Sequence, residues 1–167
     1  LEKAKETDAS HIIFSNVDIA VMPQFYQRII QLVSSGCEAM VINRRTISGE
    51  YKTANELPAM YSEIGLPHPG YDCIVFKKEL LDELDLGHVC IGAPRIGYSI
   101  VINLIRLCST FKHIHDEHLT FHVGDDRNWQ KQQFSEFAEH NIRETKTIEE
   151  KLIPLTLVEN IPSNVTL

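Results

Sequence analysis

A short apolar run that ends in small polar residues and a carboxylate is the feature that most constrains the fold. Residues 12–14, two isoleucines and a phenylalanine, are too few for a helix and have strand-forming side chains, so they predict a buried strand. Ser15, Asn16 and Asp18 follow at its carboxyl end. In open α/β sheets ligands bind at this edge, and a carboxylate there can hold a hard cation with its diphosphate. The alternative is an ordinary turn formed by Asn and Asp.

A helix and a second strand follow the first strand. Within residues 22–33, apolar side chains recur at helical spacing, at Tyr26, Ile29, Ile30 and Val33. Pro23 stands in the first turn and Gly36 marks the end of the helix. Residues 39–43 predict the second strand. A strand–helix–strand unit requires a crossover, so we expect the two strands to be parallel and the connection right-handed.

The middle of the chain predicts a long loop and then a third strand. Residues 44–70 contain several glycines and prolines, which favours an irregular loop that is mobile when no ligand is bound. Residues 71–76 predict a strand with Asp72 at its entry. Beyond it we expect a short helix, an amphipathic helix, a strand and a polar helix, over residues 77–86, 95–111, 119–121 and 130–139. Core positions of the amphipathic helix are Ile96, Ile100, Leu104 and Leu107.

These elements predict an α/β fold with a mixed sheet. A length of 167 residues suffices for one domain with a sizeable core. We expect a single domain over residues 1–150 and an extended, loosely held tail over residues 151–167, which contains Pro154 and Pro162. Because the first residue is Leu rather than Met, we expect an excised domain or a processed product.

Composition excludes some classes of function. The net charge of −7, with acidic and basic residues interspersed, disfavours nucleic-acid binding. No run of 18 apolar residues is present, so we expect no membrane span in this segment. The four cysteines are widely spaced and form no CxxC motif, which favours free thiols and a cytoplasmic location. The lumen of the secretory pathway is the alternative.

Three segments resemble, in order, parts of one enzyme family. Residues 13–19 and 23–26 are similar to the region around the metal-binding carboxylate motif of GT-A-fold glycosyltransferases. Residues 40–45 and 68–77 resemble the acceptor half, where a Gly-x-Asp pattern precedes an apolar strand. Residues 118–122 lie where many members carry a late histidine. The resemblance implies a partial Rossmann-like sheet with flanking helices, in the acceptor-side portion of a longer enzyme that carries its nucleotide-binding half-sheet upstream.

The resemblance also implies a donor and a metal site. The donor is a nucleotide-diphospho-sugar, the acceptor is unidentified, and a divalent cation, Mn²⁺ or Mg²⁺, assists the transfer. Asp18 and His122 are expected to meet and to bind this cation. Asn16, Arg44 and Arg45 are expected to bind the donor diphosphate. Asn16 stands where the family often has Asp, which implies weaker metal binding or metal-independent chemistry.

Asp72 is the candidate general base of this reaction. A partly desolvated carboxylate at the entry of a strand suits the deprotonation of an acceptor hydroxyl. The alternative is a structural aspartate bonded to loop amides. Tyr71 and Trp129 are candidates for stacking on a sugar ring, and Arg127 is a candidate for a phosphate contact.

Two other functions stay open at this point. One is a non-catalytic α/β module that binds a ligand or a partner chain with the same half-sheet. The other is a metal hydrolase built on the histidines within residues 113–122, which lack the short-spaced ligand pairs that such sites usually show.

Overall fold

A computed structural model describes residues 1–124 and 132–152 of the chain. Within these residues, pairs of strands alternate with helices along the sequence. The strands are β1 (His11–Ser15), β2 (Ala20–Val21), β3 (Ala39–Ile42), β4 (Arg45–Ile47), β5 (Leu66–Pro67), β6 (Cys73–Lys77), β7 (Phe111–Ile114) and β8 (Thr120–Val123). The helices are α1 (Glu2–Lys5), α2 (Phe25–Ser34), α3 (Leu57–Ser62), α4 (Ile96–Leu107) and α5 (Ser135–Leu152), with 3-10 turns at Ala54–Glu56, Lys78–Asp82 and Gln132–Phe134.

The strands form two mixed sheets, which confirms the predicted α/β class. The first sheet has the order β1-β6-β3-β7, in which β6 is antiparallel to both neighbours and β7 is parallel to β3. The second sheet has the order β2-β8-β4-β5, in which β8 is parallel to β4 and antiparallel to β2. No helix among the described residues is long and apolar enough to cross a membrane.

Each strand of the first sheet is joined by a short connection to a strand of the second sheet. The connections run from β1 to β2, from β3 to β4, from β5 to β6 and from β7 to β8. They comprise residues 16–19, 43–44, 68–72 and 115–119. We call these four connections the seam. Polar residues that are far apart in the sequence can therefore meet between the two sheets.

Helices cover both faces of the first sheet. On one face, α2 packs with Phe25, Ile29 and Leu32 against side chains of β3 and β6. On the other face, α4 packs against the same two strands with the fully buried Ile100 and Leu104, as predicted. The central strands β3 and β6 are therefore buried on both faces, which explains why the sequence shows them as continuous apolar runs.

One prediction about the first sheet is confirmed in direction, and another is corrected by the structure. The strand predicted at residues 39–43 has the same direction as β1, but β6 lies between them and is antiparallel to both. β1 is thus an edge strand, and its Ile13 is 41% exposed rather than buried. A crossover fixes the direction of a strand, but it does not prevent a later segment from inserting between the two strands.

The apolar stripe predicted on α2 is correct at Ile29, which is buried, and at Val33, which packs against the core, but it is wrong at two positions. Tyr26 and Ile30 are 61% and 64% exposed, whereas the neighbouring Phe25 and Leu32 are buried. The helix has apolar side chains over a wide arc, so periodicity alone does not show which part of the arc faces the sheet. Gly36 ends the helix region as expected, with a φ of 90°.

The segment at residues 44–70 is not an irregular loop, contrary to the prediction. It contains β4, β5 and α3, and its Ile47 and Met60 are buried against Phe121. A capping box between Thr53 and Glu56 begins the helical part of this segment. Local polar contacts therefore give regular structure to a segment that contains several glycines and prolines.

Two further boundaries differ from the sequence interpretation. The helix predicted at residues 77–86 is only the 3-10 turn Lys78–Asp82. Lys151 and Leu152 belong to α5 rather than to the tail. The rest of the predicted tail, Pro154 and Pro162 included, lies outside the described residues.

Glu38 joins three parts of the first sheet. Its carboxylate accepts hydrogen bonds from Lys77 Nζ at 2.9 Å, Ser109 N at 2.7 Å and Thr110 N at 3.2 Å. The Lys77 hydrogen bond is the largest cause that lowers the pKa of Glu38, followed by the two backbone N–H groups. The carboxylate therefore ties the end of β6 to the connection between α4 and β7.

We expect Glu38→Gln to lower the melting temperature at neutral pH. As the pH falls, the melting temperature of this variant should decrease less than that of the unmodified chain. Because the folded-state pKa is depressed, the stabilisation by Glu38 is present above the usual value of 4.5 and is lost as the pH falls through the lowered value. Thermal unfolding from about pH 7 to about pH 3 measures this. Glu79→Gln is the control, since Glu79 is 73% exposed and lies 3.5 Å from the same lysine. Equal behaviour of the two variants would contradict the assignment.

Candidate functional site

Asp18 and His122 meet at the seam although they are 104 positions apart in the sequence. Asp18 lies in the turn between β1 and β2, which the hydrogen bond from Ile19 N to Asn16 O closes at 3.3 Å. His122 belongs to β8, and its Nε2 lies 3.1 Å from Asp18 Oδ2. The side chains are 58% and 11% exposed, respectively. The predicted approach of these two residues is confirmed, and one side of the pair is open to solvent.

The second ring nitrogen of His122 determines what the pair can bind. His122 Nδ1 lies 2.6 Å from the carbonyl oxygen of Gly124, and a carbonyl can only accept, so Nδ1 carries a hydrogen. In the neutral imidazole, Nε2 then has a lone pair and faces a carboxylate oxygen. Two acceptors at this distance require a proton or a cation between them.

A divalent cation fits this arrangement of donor atoms. Two ligands at neighbouring corners of an octahedron, each about 2.1 Å from the ion, lie about 3.0 Å apart. The distance between His122 Nε2 and Asp18 Oδ2 is 3.1 Å. Within residues 1–124 and 132–152, no group of three His, Cys, Asp or Glu side chains could hold a metal. The pair can therefore supply only part of a coordination sphere, as is common for cations bound together with phosphates.

Asp72 is the centre of a second group of polar residues at the seam. Its Oδ1 accepts a hydrogen bond from Asn16 Nδ2 and its Oδ2 accepts one from Arg44 Nη1, both at 2.9 Å. Asn16 N also donates to the carbonyl oxygen of Asp72 at 3.1 Å. The Asp72 and Arg44 side chains are only 10% and 11% exposed. Both carboxylate oxygens are thus engaged within the chain.

A histidine and a glycine lie against the same carboxylate. His68 Nδ1 accepts a hydrogen bond from Gly70 N at 2.9 Å and lies 3.6 Å from Asp72 Oδ2. A Cβ on Gly70 would stand 2.7 Å from His68 Cε1 and 2.8 Å from Asp72 Oδ2. A side chain at position 70 would require the His68 or Asp72 side chain to move, so the Gly-x-Asp spacing has a local steric reason.

Asn43 extends this polar group toward β7. Its Nδ2 donates to the carbonyl oxygen of His68 at 2.9 Å, which leaves its Oδ1 to accept from His113 Nε2 at 2.7 Å. Burial lowers the pKa of His113, so this side chain favours the neutral form. Tyr71 packs edge-on against His113 and stacks on Tyr98, with ring centroids 6.0 and 6.2 Å apart. Asn43 and Tyr98 were not predicted as site residues, although Asn43 follows a buried strand directly, whereas the stacking of Tyr71 on a sugar ring stays a prediction.

The two predicted diphosphate-binding arginines have partners within the chain. Arg44 forms the ion pair with Asp72. The guanidinium of Arg45 donates to the carbonyl oxygens of Ile64 and Gly65, the latter at 2.9 Å. Their contact with a diphosphate stays a prediction, and it would require at least one of these bonds to be exchanged.

The histidines in residues 113–122 do not form one site. His115 forms an exposed pair with Asp116, with Nε2 and Oδ2 3.0 Å apart, and its ring centroid lies 5.3 Å from that of His113. His122 contacts Asp18, whereas His113 contacts Asn43. The predictions for Arg127 and Trp129 lie outside the described residues, as does the turn at residues 125–129.

A scan against protein-family models finds no match to this chain, and a search of the curated proteins finds no relative. The functional argument therefore depends on the geometry at the seam.

Proposed function

We propose that the chain is a glycosyltransferase-like domain that transfers a sugar from a nucleotide-diphosphate donor, with a divalent cation held by Asp18 and His122. The observation that carries this proposal is the contact of these two side chains across 104 positions. The resemblance to GT-A-fold enzymes implies that contact, and the pairing of β2 with β8, which sets Ala20 opposite Phe121, brings the two residues close to each other. A Mn²⁺ or Mg²⁺ ion there would neutralise charge on the leaving diphosphate.

Asn16 and Asp72 would have different roles beside the proposed cation. Asn16 is held by Asp72 through its Nδ2, so its Oδ1 remains as an acceptor beside the turn that carries Asp18. Asp72 is the candidate base, but it would act only after one of its bonds to Asn16 or Arg44 is exchanged. The free thiols of all four cysteines are consistent with the proposed cytoplasmic location.

The second candidate function is a non-catalytic module that binds a ligand or a partner chain. It is favoured by one observation: Arg44, Arg45 and Asp72, assigned to donor binding and catalysis, are each engaged within the chain. Because the resemblance places the nucleotide-binding half-sheet upstream, turnover of nucleotide sugars with Mn²⁺ by the full-length parent separates the two candidates. Metal-dependent sugar transfer or donor hydrolysis supports the transferase, whereas metal binding without turnover supports the module.

We expect Asp18→Asn and His122→Gln each to weaken Mn²⁺ binding by at least about tenfold, because each replaces one of two protein ligands. Calorimetric titration with Mn²⁺ alone measures the dissociation constant. Asp116→Asn is the matched control, since Asp116 forms a similar pair with His115 but is 86% exposed. If the three variants bind Mn²⁺ equally well, the cation site is not at Asp18 and His122.

A further inference from the structure

One ring nitrogen of His113 is fixed by its contact with Asn43 at the seam. Asn43 Nδ2 donates to the carbonyl oxygen of His68 at 2.9 Å, so Asn43 Oδ1 is the atom that lies 2.7 Å from His113 Nε2. An amide oxygen can only accept a hydrogen bond, so His113 Nε2 carries a hydrogen. In the neutral ring the lone pair is therefore on Nδ1.

Asn43 is itself held in place by several contacts. It is 7% exposed, its main-chain N–H donates to the carbonyl oxygen of Ile114 at 3.0 Å, and Thr120 Oγ1 donates to its carbonyl oxygen at 3.4 Å. Together with the bond to His68, these contacts join Asn43 to β7, to β8 and to the connection before β6. A histidine that a fixed third group orients in this way has the arrangement of a general base.

The other ring nitrogen of His113 is left without a partner. Within the part of the chain that the structure describes, Nδ1 forms no hydrogen bond, and the residue is exposed. His113 is also one of the residues that line a cavity of about 410 Å³ beside β7. Small-molecule ligands occupy cavities of roughly 300–1,000 Å³. An acceptor held at this edge of the sheet can therefore contact Nδ1.

The surroundings of His113 favour its neutral form. Partial burial is the largest cause that lowers the pKa of this ring, and a positive charge on His115 lowers it further, whereas Asp116 raises it. The Tyr71 ring packs edge-on against His113, with centroids 6.0 Å apart, and burial raises the pKa of this phenol, so Tyr71 stays uncharged. Because the pKa of His113 lies below the usual 6.5, Nδ1 can accept a proton at neutral pH.

Asp72, the base expected from the sequence, is less suited to this role. Its Oδ1 accepts a hydrogen bond from Asn16 and its Oδ2 forms the ion pair with Arg44, so neither oxygen is available without a rearrangement. β6 is antiparallel to β3 and β7 is parallel to it, so the start of β6 and the end of β7 lie at the same end of the sheet. His113 therefore offers a free base at the end of the sheet where Asp72 lies.

We propose that His113 is the general base of the sugar transfer and that Asn43 is its positioning residue, an inference that rests on the proposed transferase function. His113 Nδ1 takes the proton of the acceptor hydroxyl while the acceptor oxygen bonds to the anomeric carbon of the donor. The bond from that carbon to the diphosphate breaks, and the diphosphate leaves with the electron pair. Asp72 then has a structural role, since it holds Asn16 and Arg44.

The seam places this base within reach of the Asp18–His122 pair. Asn43 contacts both His113 and Thr120, and Thr120 stands two residues before His122, about 7 Å along β8. A donor diphosphate, a separation of about 3–3.5 Å between the reacting atoms and a hydrogen bond of about 2.6–3.2 Å must fit between the pair and the base. Both lengths are on the order of 10 Å, so a donor bound at the pair can present its sugar to an acceptor beside His113.

Turnover of nucleotide sugars with Mn²⁺ by the full-length parent is the first measurement. His113→Gln should lower kcat by about 10²–10⁴-fold, which is the contribution of a positioned base, while the dissociation constant of Mn²⁺ stays unchanged. His115→Gln is the matched control, since His115 is exposed on the same segment and its ring centroid lies 5.3 Å from that of His113. This control should retain the kcat of the unmodified protein.

The pH dependence of turnover identifies the base. Nitrogen-15 NMR should show His113 as the Nε2-protonated tautomer and give its pKa, and the acid limb of kcat/KM should fall at the same pH. Asn43→Asp should raise both values together, because a carboxylate beside Nε2 stabilises the charged ring. A merely structural role of Asn43 would lower activity without moving the acid limb. Circular dichroism checks that each variant is folded, and His113→Gln decides if Asn43→Asp fails to fold.

The outcomes separate this inference from the proposed function. A kcat of His113→Gln equal to that of the unmodified protein would overturn the role of His113 and leave the transferase function intact. An acid limb of kcat/KM that does not follow the pKa of His113 would overturn it as well. Absence of turnover in the unmodified parent would refute the transferase function, and the role of His113 with it.

Discussion

Asp72→Ala is expected to lower the free energy of unfolding by about 3–5 kcal/mol, because it leaves a buried guanidinium without its carboxylate. Arg44 and Asp72 are 11% and 10% exposed, and their 2.9 Å contact is the ion pair that joins the end of β3 to the start of β6. Asn16 loses its side-chain partner in the same variant. Urea unfolding measures the difference in the free energy of unfolding between the two proteins. The dependence of this free energy on urea concentration should be the same for both.

A solvent-exposed ion pair provides the control for this prediction. Arg28 and Glu117 contact each other at 2.6 Å, but both side chains are 37% exposed. Glu117→Ala should cost no more than about 1 kcal/mol, since water replaces the lost partner. If the two substitutions cost the same, Asp72 does not form a buried ion pair that matters to the fold, and its role as a base gains weight.

The hydrogen bond from Asn16 to Asp72 explains why residue 16 is an asparagine. Asp72 Oδ1 can only accept, so the side chain 2.9 Å away must donate. Asn16→Asp would bring two carboxylates together and is expected to destabilise the fold. The exchange Asn16→Asp with Asp72→Asn restores one donor and one acceptor. The double variant should therefore cost less than the sum of the single ones, by about 1–3 kcal/mol. Strictly additive costs would contradict this account.

The resemblance implies only what Asn16 does to metal binding, whereas its contact with Asp72 is not visible in the sequence. The two residues are 56 positions apart, and each taken alone resembles a turn residue. Asp18 and His122 are even farther apart, yet their approach was predicted, because the resemblance specified it. Contacts across the seam are thus accessible from sequence only when a family pattern names both partners.

The strands were predictable where burial shaped the sequence. β3 and β6 are covered on both faces and appear as continuous apolar runs. β2 and β5 have two residues each and exist because β8 and β4 pair with them, so no local pattern marks them. The insertion of β6 between β1 and β3 likewise depends on a segment that follows α3, outside the local strand–helix–strand unit.

Buried asparagine side chains cannot be identified from the sequence either. For one of them, a substitution is expected to have a large effect on the free energy of unfolding. Asn141 of α5 is fully buried. Its Oδ1 accepts from Cys90 N at 2.7 Å, and its Nδ2 donates to the carbonyls of Cys90 at 2.9 Å and Pro94 at 2.8 Å. This side chain thereby holds the irregular segment before α4 against α5. In a helix with many polar residues, nothing local distinguishes it from an exposed asparagine.

We expect Asn141→Leu to lower the free energy of unfolding by about 2–4 kcal/mol, because it leaves three half-buried main-chain groups without this partner. Asn141→Asp keeps the acceptor for Cys90 but turns a carboxylate oxygen toward two carbonyls. The loss of stability in Asn141→Asp should become smaller as the pH falls, since protonation of the introduced carboxyl restores a hydrogen-bond donor. Asn55→Leu, at an exposed position, is the control and should change stability by no more than about 0.5 kcal/mol. Urea unfolding at neutral and acidic pH measures all three. A cost for Asn141→Leu equal to that of the control would mean that other contacts fix the segment before α4.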